Sequence, residues 1–260
     1  MPIVSPHAVV ECPANLAADV VVGPFAHIGP DVRIGPGTRV EGNVALLGDV
    51  CIGAGCHIYP FAVIGHVDEN GRAGGQVRIG DRCNIREHAV IRGGDGALDE
   101  PTTLGTDNLV MTGCFIGEHA RVGCNTVLGN YSQLERGAVI EDRVWAAAFT
   151  GVSAGVTIGR YSFTSGYAGI HRDAPPYAVL QGFPFRVRGV NTLNLRRWKV
   201  DEAQISRLKA VFRDLYEDTD TPVGSVLHAM AARTDLDEHE RYLVSYLMER
   251  NDGAAPAEEA

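Results

Sequence analysis

A chain of 260 residues with 45% hydrophobic and 21% charged positions is long enough for one principal folded domain with an appendage, and it needs no covalent staples. A formal net charge of -9 argues against a general nucleic-acid binder, because phosphate binding needs a basic face. No run approaches the roughly 18 apolar residues that span a bilayer, and the first residues lack the pattern of a signal peptide, so a cytoplasmic protein without a membrane span is expected.

An aliphatic residue recurs at every sixth position from the start of the chain. The series runs Val4, Val10, Leu16, Val22, Ile28, Ile34, Val40, Leu46, Ile52, Ile58 and Ile64, resumes at Ile79, Ile85 and Ile91, and resumes again from Leu104 to Ile170. A period of six fits neither a 3.6-residue helix nor a simple alternating strand, but it suits a short strand plus a corner, with three such faces to a coil. Roughly 26 hexads give between eight and nine stacked coils, each burying its aliphatics against the coils above and below. The 31 glycines, many directly after the aliphatic, fit the corners.

Two stretches leave the register, at 66–76 and 92–103, and read as loops thrown outward from the column, where binding residues are often carried. The Pro175-Pro176 pair reads as the end of the coils. Beyond it, Asp201 to Tyr216 places Ile205, Leu208, Val211, Phe212 and Leu215 at helical spacing with Asp201 as N-cap; Val223 to Arg233 and Asp237 to Arg250 continue in that style. The expected organisation is therefore an all-β column over 1–175, a helical cap over 176–250 that covers the strand edges at its end, and a disordered tail over 251–260. Cys12, Cys51, Cys56, Cys83, Cys114 and Cys124 include no CxxC pair, so reduced, packed thiols are expected, with no metal and no cofactor.

The hexads resemble the transferase hexapeptide family, and that resemblance implies a left-handed parallel β-helix. Three segments narrow it: IGDRCNIREHAVIRGG from Ile79, GTDNLVMTGCFIGEHARVG from Gly105 and DAPPYAVLQGFPFRVRGVNTLNLRRW from Asp173. Together they resemble the acyl-carrier-protein-dependent UDP-N-acetylglucosamine O-acyltransferases that begin lipid A biosynthesis. The resemblance implies a homotrimer, with active sites between columns, that moves a hydroxyacyl chain from acyl carrier protein to a hydroxyl of the nucleotide sugar. Such a hydroxyl needs a general base to attack a thioester, and the oxyanion formed needs a donor such as a backbone N–H.

The family reads H-I-x-H-D where this chain reads Phe115-Ile116-Gly117-Glu118-His119. The catalytic histidine thus falls on Glu118, an earlier histidine on Phe115, and two further ones on Gly137 and Ser153. Three readings compete: Glu118 is the base, which needs burial or a second carboxylate to raise its pKa; His119, one position along, takes its place; or the family reaction is lost and the scaffold serves binding or regulation. Amides near Arg136 and Gly137 are the expected oxyanion donors. By the same resemblance, Gly166 leaves room for a long acyl chain, and Gln181, Asn191 and Arg197 contact the nucleotide. In the first loop Asn70 is placed to bond the sugar and Arg72 to meet a phosphate. Arg186, Arg188, Arg196, Arg197 and Lys199 form a basic cluster, read either as a docking patch for an acidic carrier protein or as ordinary solvated arginines. His171, near the end of the column, reads chiefly as a surface histidine.

Overall fold

In a strand the side chains alternate in direction, so an aliphatic that points into the column sends the residue before it outward. The computed structural model, which describes residues 1–66, 74–94, 100–216 and 222–251, follows that rule coil after coil. Arg33–Ile34, Arg39–Val40, Asn84–Ile85 and Arg121–Val122 each pair an exposed residue with a buried aliphatic. These short strands stack into three sheets of 11, 9 and 7 strands, parallel throughout except for the last strand of the first, and the sheets form the faces of the column. Register is kept: Ile58 lies over Ile85, Val110 over Leu128, and Ile116 over Leu134. The predicted hexads therefore set the strands, and from Leu16 onward the series of aliphatics is the core, while Val4 and Val10 at the open first coil are not buried.

Corners turn on left-handed residues. From the first sheet to the second, the corner residue with positive φ is Phe25, Asn43, Phe61, His88, Gly113, Tyr131, Phe149 or Tyr167. Several of these rings stack outside the column, Phe61 on His88 at 5.1 Å and Phe149 on Tyr167 at 4.8 Å. Inside the column, polar side chains lock neighbouring coils. Asn108 Nδ2 donates to the carbonyls of Gly105 and Gly123, and its Oδ1 accepts from the N–H and hydroxyl of Thr126.

Strands Val63–Gly65 and Val77–Ile79 bracket the first interruption, and Val90–Ile91 and Thr102–Leu104 the second. Asn70, Arg72 and most of the expected tail lie outside the described residues. The Pro175-Pro176 pair does not stop the coils at once. Ala178–Gln181 adds one more strand in parallel register, Phe163 opposite Val179, and then turns back in an antiparallel pair with Arg186–Val190. Prolines are tolerated there because they sit in the corner before the strand, where no ladder N–H is lost.

Four helices follow: α1 (Thr192–Arg197), α2 (Glu202–Tyr216), α3 (Val223–Ala231) and α4 (Glu238–Asn251). The buried face of α2 is the one predicted, and Asp201 Oδ1 accepts from the Ala203 N–H at its start. A reciprocal box opens α4: Asp237 Oδ1 accepts from the Glu240 N–H while Glu240 Oε2 accepts from the Asp237 N–H. The cap is tied to the column by the Tyr242 hydroxyl on Glu141, the Tyr246 hydroxyl on the Ala174 carbonyl, and Arg250 on Asp173 at 2.7 Å. No helix among the described residues is long and apolar enough to cross a membrane.

Candidate active site

Because register is kept, residues at one corner position form vertical lines on the column. Gln133, Gly151 and Gly169 are direct partners in the second sheet, so Glu135, Ser153 and His171, two residues on, line up in the same way. The corner from the second sheet to the third holds the residues expected at the family site.

Glu118 follows strand Phe115–Ile116 at this corner, and its Oε1 lies 3.3 Å from Arg92 Nε. Its side chain is 27% exposed, so it is open to a ligand. Its partner among the described residues is a cation, Arg92, rather than a second carboxylate. Spacing in the sequence gave no sign of Arg92, because the second interruption sets the two partners 26 positions apart.

His119, the second choice for a base, is placed differently. It is the left-handed corner residue and is only 4% exposed. Its N–H donates to Thr102 Oγ1 at 2.9 Å, and its Nδ1 lies 2.7 Å from the Glu100 carbonyl. Gly94 makes room for the ring, since a Cβ there would lie 2.5 Å from His119 Cε1. This histidine packs the second interruption against the coil and is not presented to a substrate.

Gly137, one coil on, turns the corner with φ of +68°, and its N–H donates to the Glu118 carbonyl at 2.8 Å. That amide is committed to the backbone, so the expectation of an oxyanion donor at Gly137 is corrected. Phe115, where the resemblance leads one to expect an earlier histidine, is 36% exposed on the outer face. Ser153 lies in a trough of about 180 Å³ with Gln133, Glu135, His171 and Phe183, floored by Gly151 and Gly169. Glu135, Phe183 and the trough itself were not singled out from the sequence, although the 18-residue recurrence of that corner position was there to find.

Gly166 is exposed and has no need to be glycine for the sake of this chain: a Cβ there would meet only the Ala148 carbonyl, at an ordinary 3.5 Å. Asn191 is corrected from a ligand contact to a packing residue. It is 7% exposed, caps α1 by accepting from the Asn194 N–H, and donates from Nδ2 to the Tyr161 carbonyl at 2.8 Å. Gln181 Oε1 accepts from Arg188, and Arg196 makes a two-pronged pair with Glu202. Arg197 is exposed, with its guanidinium 5.7 Å from the centre of the Trp145 ring. No metal-ligating cluster exists among the described residues.

A column of hexapeptide coils, a partly open corner carboxylate, a glycine-floored trough on the same face and a helical cap together fit a transferase of the hexapeptide class. A family profile described as bacterial transferase hexapeptide (six repeats) matches residues 31–66, and one described as UDP N-acetylglucosamine O-acyltransferase, domain 2, matches residues 173–254. The acyl-[acyl-carrier-protein]–UDP-N-acetylglucosamine O-acyltransferase of Rhizobium johnstonii is 30% identical over 88% of this chain and 84% of its own length. The enzyme of that name from Gloeothece citriformis is 35% identical over 66% of this chain and 63% of its own length. Among solved structures, the UDP-N-acetylglucosamine acyltransferase of Francisella novicida superposes with a TM-score of 0.86 at 26% identity, covering 94% of this chain and 90% of that one. The chain belongs to the acyl-[acyl-carrier-protein]–UDP-N-acetylglucosamine O-acyltransferase family.

Proposed function

We propose that this protein moves a hydroxyacyl chain from acyl carrier protein to a nucleotide-activated amino sugar, with Glu118 as general base, working as a cytoplasmic homotrimer. Family membership over 88% of the chain carries the reading. Gly166 and Gly151 support a site completed from outside the chain. A Cβ at Gly151 would meet nothing within 4 Å, and neither glycine adopts a positive φ, so both mark open surface for an acyl chain or a neighbouring column. Exposed Arg186, Arg197 and Lys199 have no carboxylate partner among the described residues and suit an acidic carrier protein.

Arg92 orients the Glu118 carboxylate in a partly open corner, the placement that a general base needs. An amine acceptor asks less of such a base than a hydroxyl does, because a neutral amine is already nucleophilic. The test is transfer from carrier-bound hydroxyacyl donors to a panel of nucleotide sugars, both hydroxyl and amino forms, read by mass spectrometry. Transfer is expected, with Glu118→Gln lowering it by about 100-fold or more while the fold is kept. Unchanged turnover in the variant removes Glu118 as the base.

One observation favours a second reading. Phe115, Gly137 and Ser153 offer no proton acceptor of imidazole type where the family keeps histidines, and the remaining acid is ion-paired. A binding or regulatory relative on the same scaffold would bind acyl carrier protein or nucleotide sugar and transfer nothing in that assay.

A further inference from the structure

A second concavity lies away from the corner of Glu118, where the cap meets the end of the column. It encloses about 590 Å³, within the 300–1,000 Å³ typical of small-molecule sites. Its walls are apolar: Phe185 from the turn before the returning strand and Val187 from that strand, Val223 and Leu227 from α3, and Leu247 from α4. Four charged side chains stand at the rim. Arg250 pairs with Asp173 at 2.7 Å and lies 3.8 Å from Glu249, so those three largely answer one another.

Arg172 is different. Its guanidinium rests 5.0 Å from the centre of the Phe185 ring and meets no carboxylate among the described residues, in a protein whose net charge is -9. The Tyr216 phenol, at the end of α2, lines the same cleft within the electrostatic reach of Arg172, and its hydroxyl makes no hydrogen bond among the described residues. A guanidinium and a phenol are both donors at neutral pH, and neither has an acceptor among the described residues. Two donors at the mouth of an apolar cleft are complementary to a molecule with an anionic head and a hydrocarbon body.

We propose that this cleft binds a single-chain carboxylate amphiphile, its carboxylate on Arg172 and Tyr216 and its chain between Val187, Leu227 and Leu247. The site is separate from the transfer site and does not rest on that reading. Carboxylate and phosphate share the chemistry that Arg172 offers. A phenol and one guanidinium match the two oxygens of a carboxylate, and the rim carboxylates of Asp173 and Glu249 disfavour a more highly charged head.

The experiment titrates the full chain with dodecanoate, dodecyl phosphate and dodecanol by calorimetry. One saturable dodecanoate site per chain is expected, with dodecyl phosphate and dodecanol each at least about tenfold weaker. Arg172→Gln should weaken dodecanoate about tenfold, the loss of one charge-assisted bond. Val223→Trp, which fills the mouth from an exposed position, should abolish saturation. Both variants lie outside the transfer site, so acyl transfer without amphiphile should stay at the wild-type rate, and circular dichroism checks their fold. Absence of a saturable site, tighter binding of the phosphate or of the alcohol, or affinity unchanged in both variants would overturn the proposal.

Discussion

His239 shows how a single side chain near the cap sets a condition on the whole fold. Its ring lies between the cap and the last coils, 3.2 Å through Nδ1 from the Tyr177 hydroxyl and edge-on to Tyr161 and Tyr177. Burial holds its pKa below the ordinary 6.5, and the nearby Arg160 and Arg143 push the same way, against Glu238 and Asp237. The unfolded chain therefore binds a proton that the folded one resists. Stability from the neutral ring is complete above about pH 6.5 and is lost as pH falls towards the depressed folded value. Denaturant melts should show stability falling as pH drops below about 6.5, a window that opens above that of the carboxylates. His239→Gln should flatten that slope; an unaltered slope would assign it to other groups.

At the same scale, the sequence was a good guide to direction and a poor one to partnership. Alternation sent Glu118 and Ser153 to the corner, as the hexad register requires. It did not reveal Arg92, whose distance along the chain is lengthened by an interruption, nor that Asn191 spends its amide on capping α1 and on Tyr161. A side chain that caps a helix and one that holds a nucleotide are the same letter at the same spacing, and only burial separates them.

Among the elements, the coil is the unit, and its strength is held in inward contacts. Burial of one aliphatic contributes about 1.5–3 kcal/mol, and each is shared between neighbours above and below. Polar ties add direction. Cys114 donates from Sγ to the Gly129 carbonyl at 3.1 Å, and burial pushes its thiol up to about 11, so it stays a packed donor, as expected from the lack of any CxxC pair. Asn108 does more, closing four polar groups across two coils. Asn108→Ala leaves the Thr126 N–H and two carbonyls without this partner inside the column. It should cost at least about 2 kcal/mol in a urea melt. A loss below about 0.5 kcal/mol would mean that water takes the place of the amide.

The elements that escaped the sequence are the short ones. Helix α1 has six residues and buries only Asn194 and Leu195, too little for a periodic signal. The strands Ala178–Gln181 and Arg186–Val190 hide behind a proline pair and a Gly182-Phe183-Pro184 turn. The long elements were legible because their pattern repeats: a hexad seen over twenty times identifies itself, and α2 carries five buried apolar residues on one face.

For the whole molecule, the two ends of the column are unlike. Ile3 and Val9 are 67% and 57% exposed at the first coil, whereas the last coils are covered by the hairpin and helices, with Tyr177 fully buried beneath them. A solenoid needs its apolar end closed to stay soluble. A chain stopped after Val190 would expose the surface that now meets α1, α2 and α4. It should aggregate on gel filtration, while the full chain elutes as a defined species. A truncated chain that stays dispersed and melts like the full one would deny the cap that role.

The vertical lines on the column carry a meaning beyond packing. Position 117 of one coil recurs as Glu135, Ser153 and His171 on the next three, each set on the same backbone and differing only in height. Exchanging one letter on such a line changes what is written at that level without bending the frame that carries it. Gly117, Glu135, Ser153 and His171 differ in chemistry with no break in register, so in this architecture chemical identity can vary from coil to coil while shape stands still.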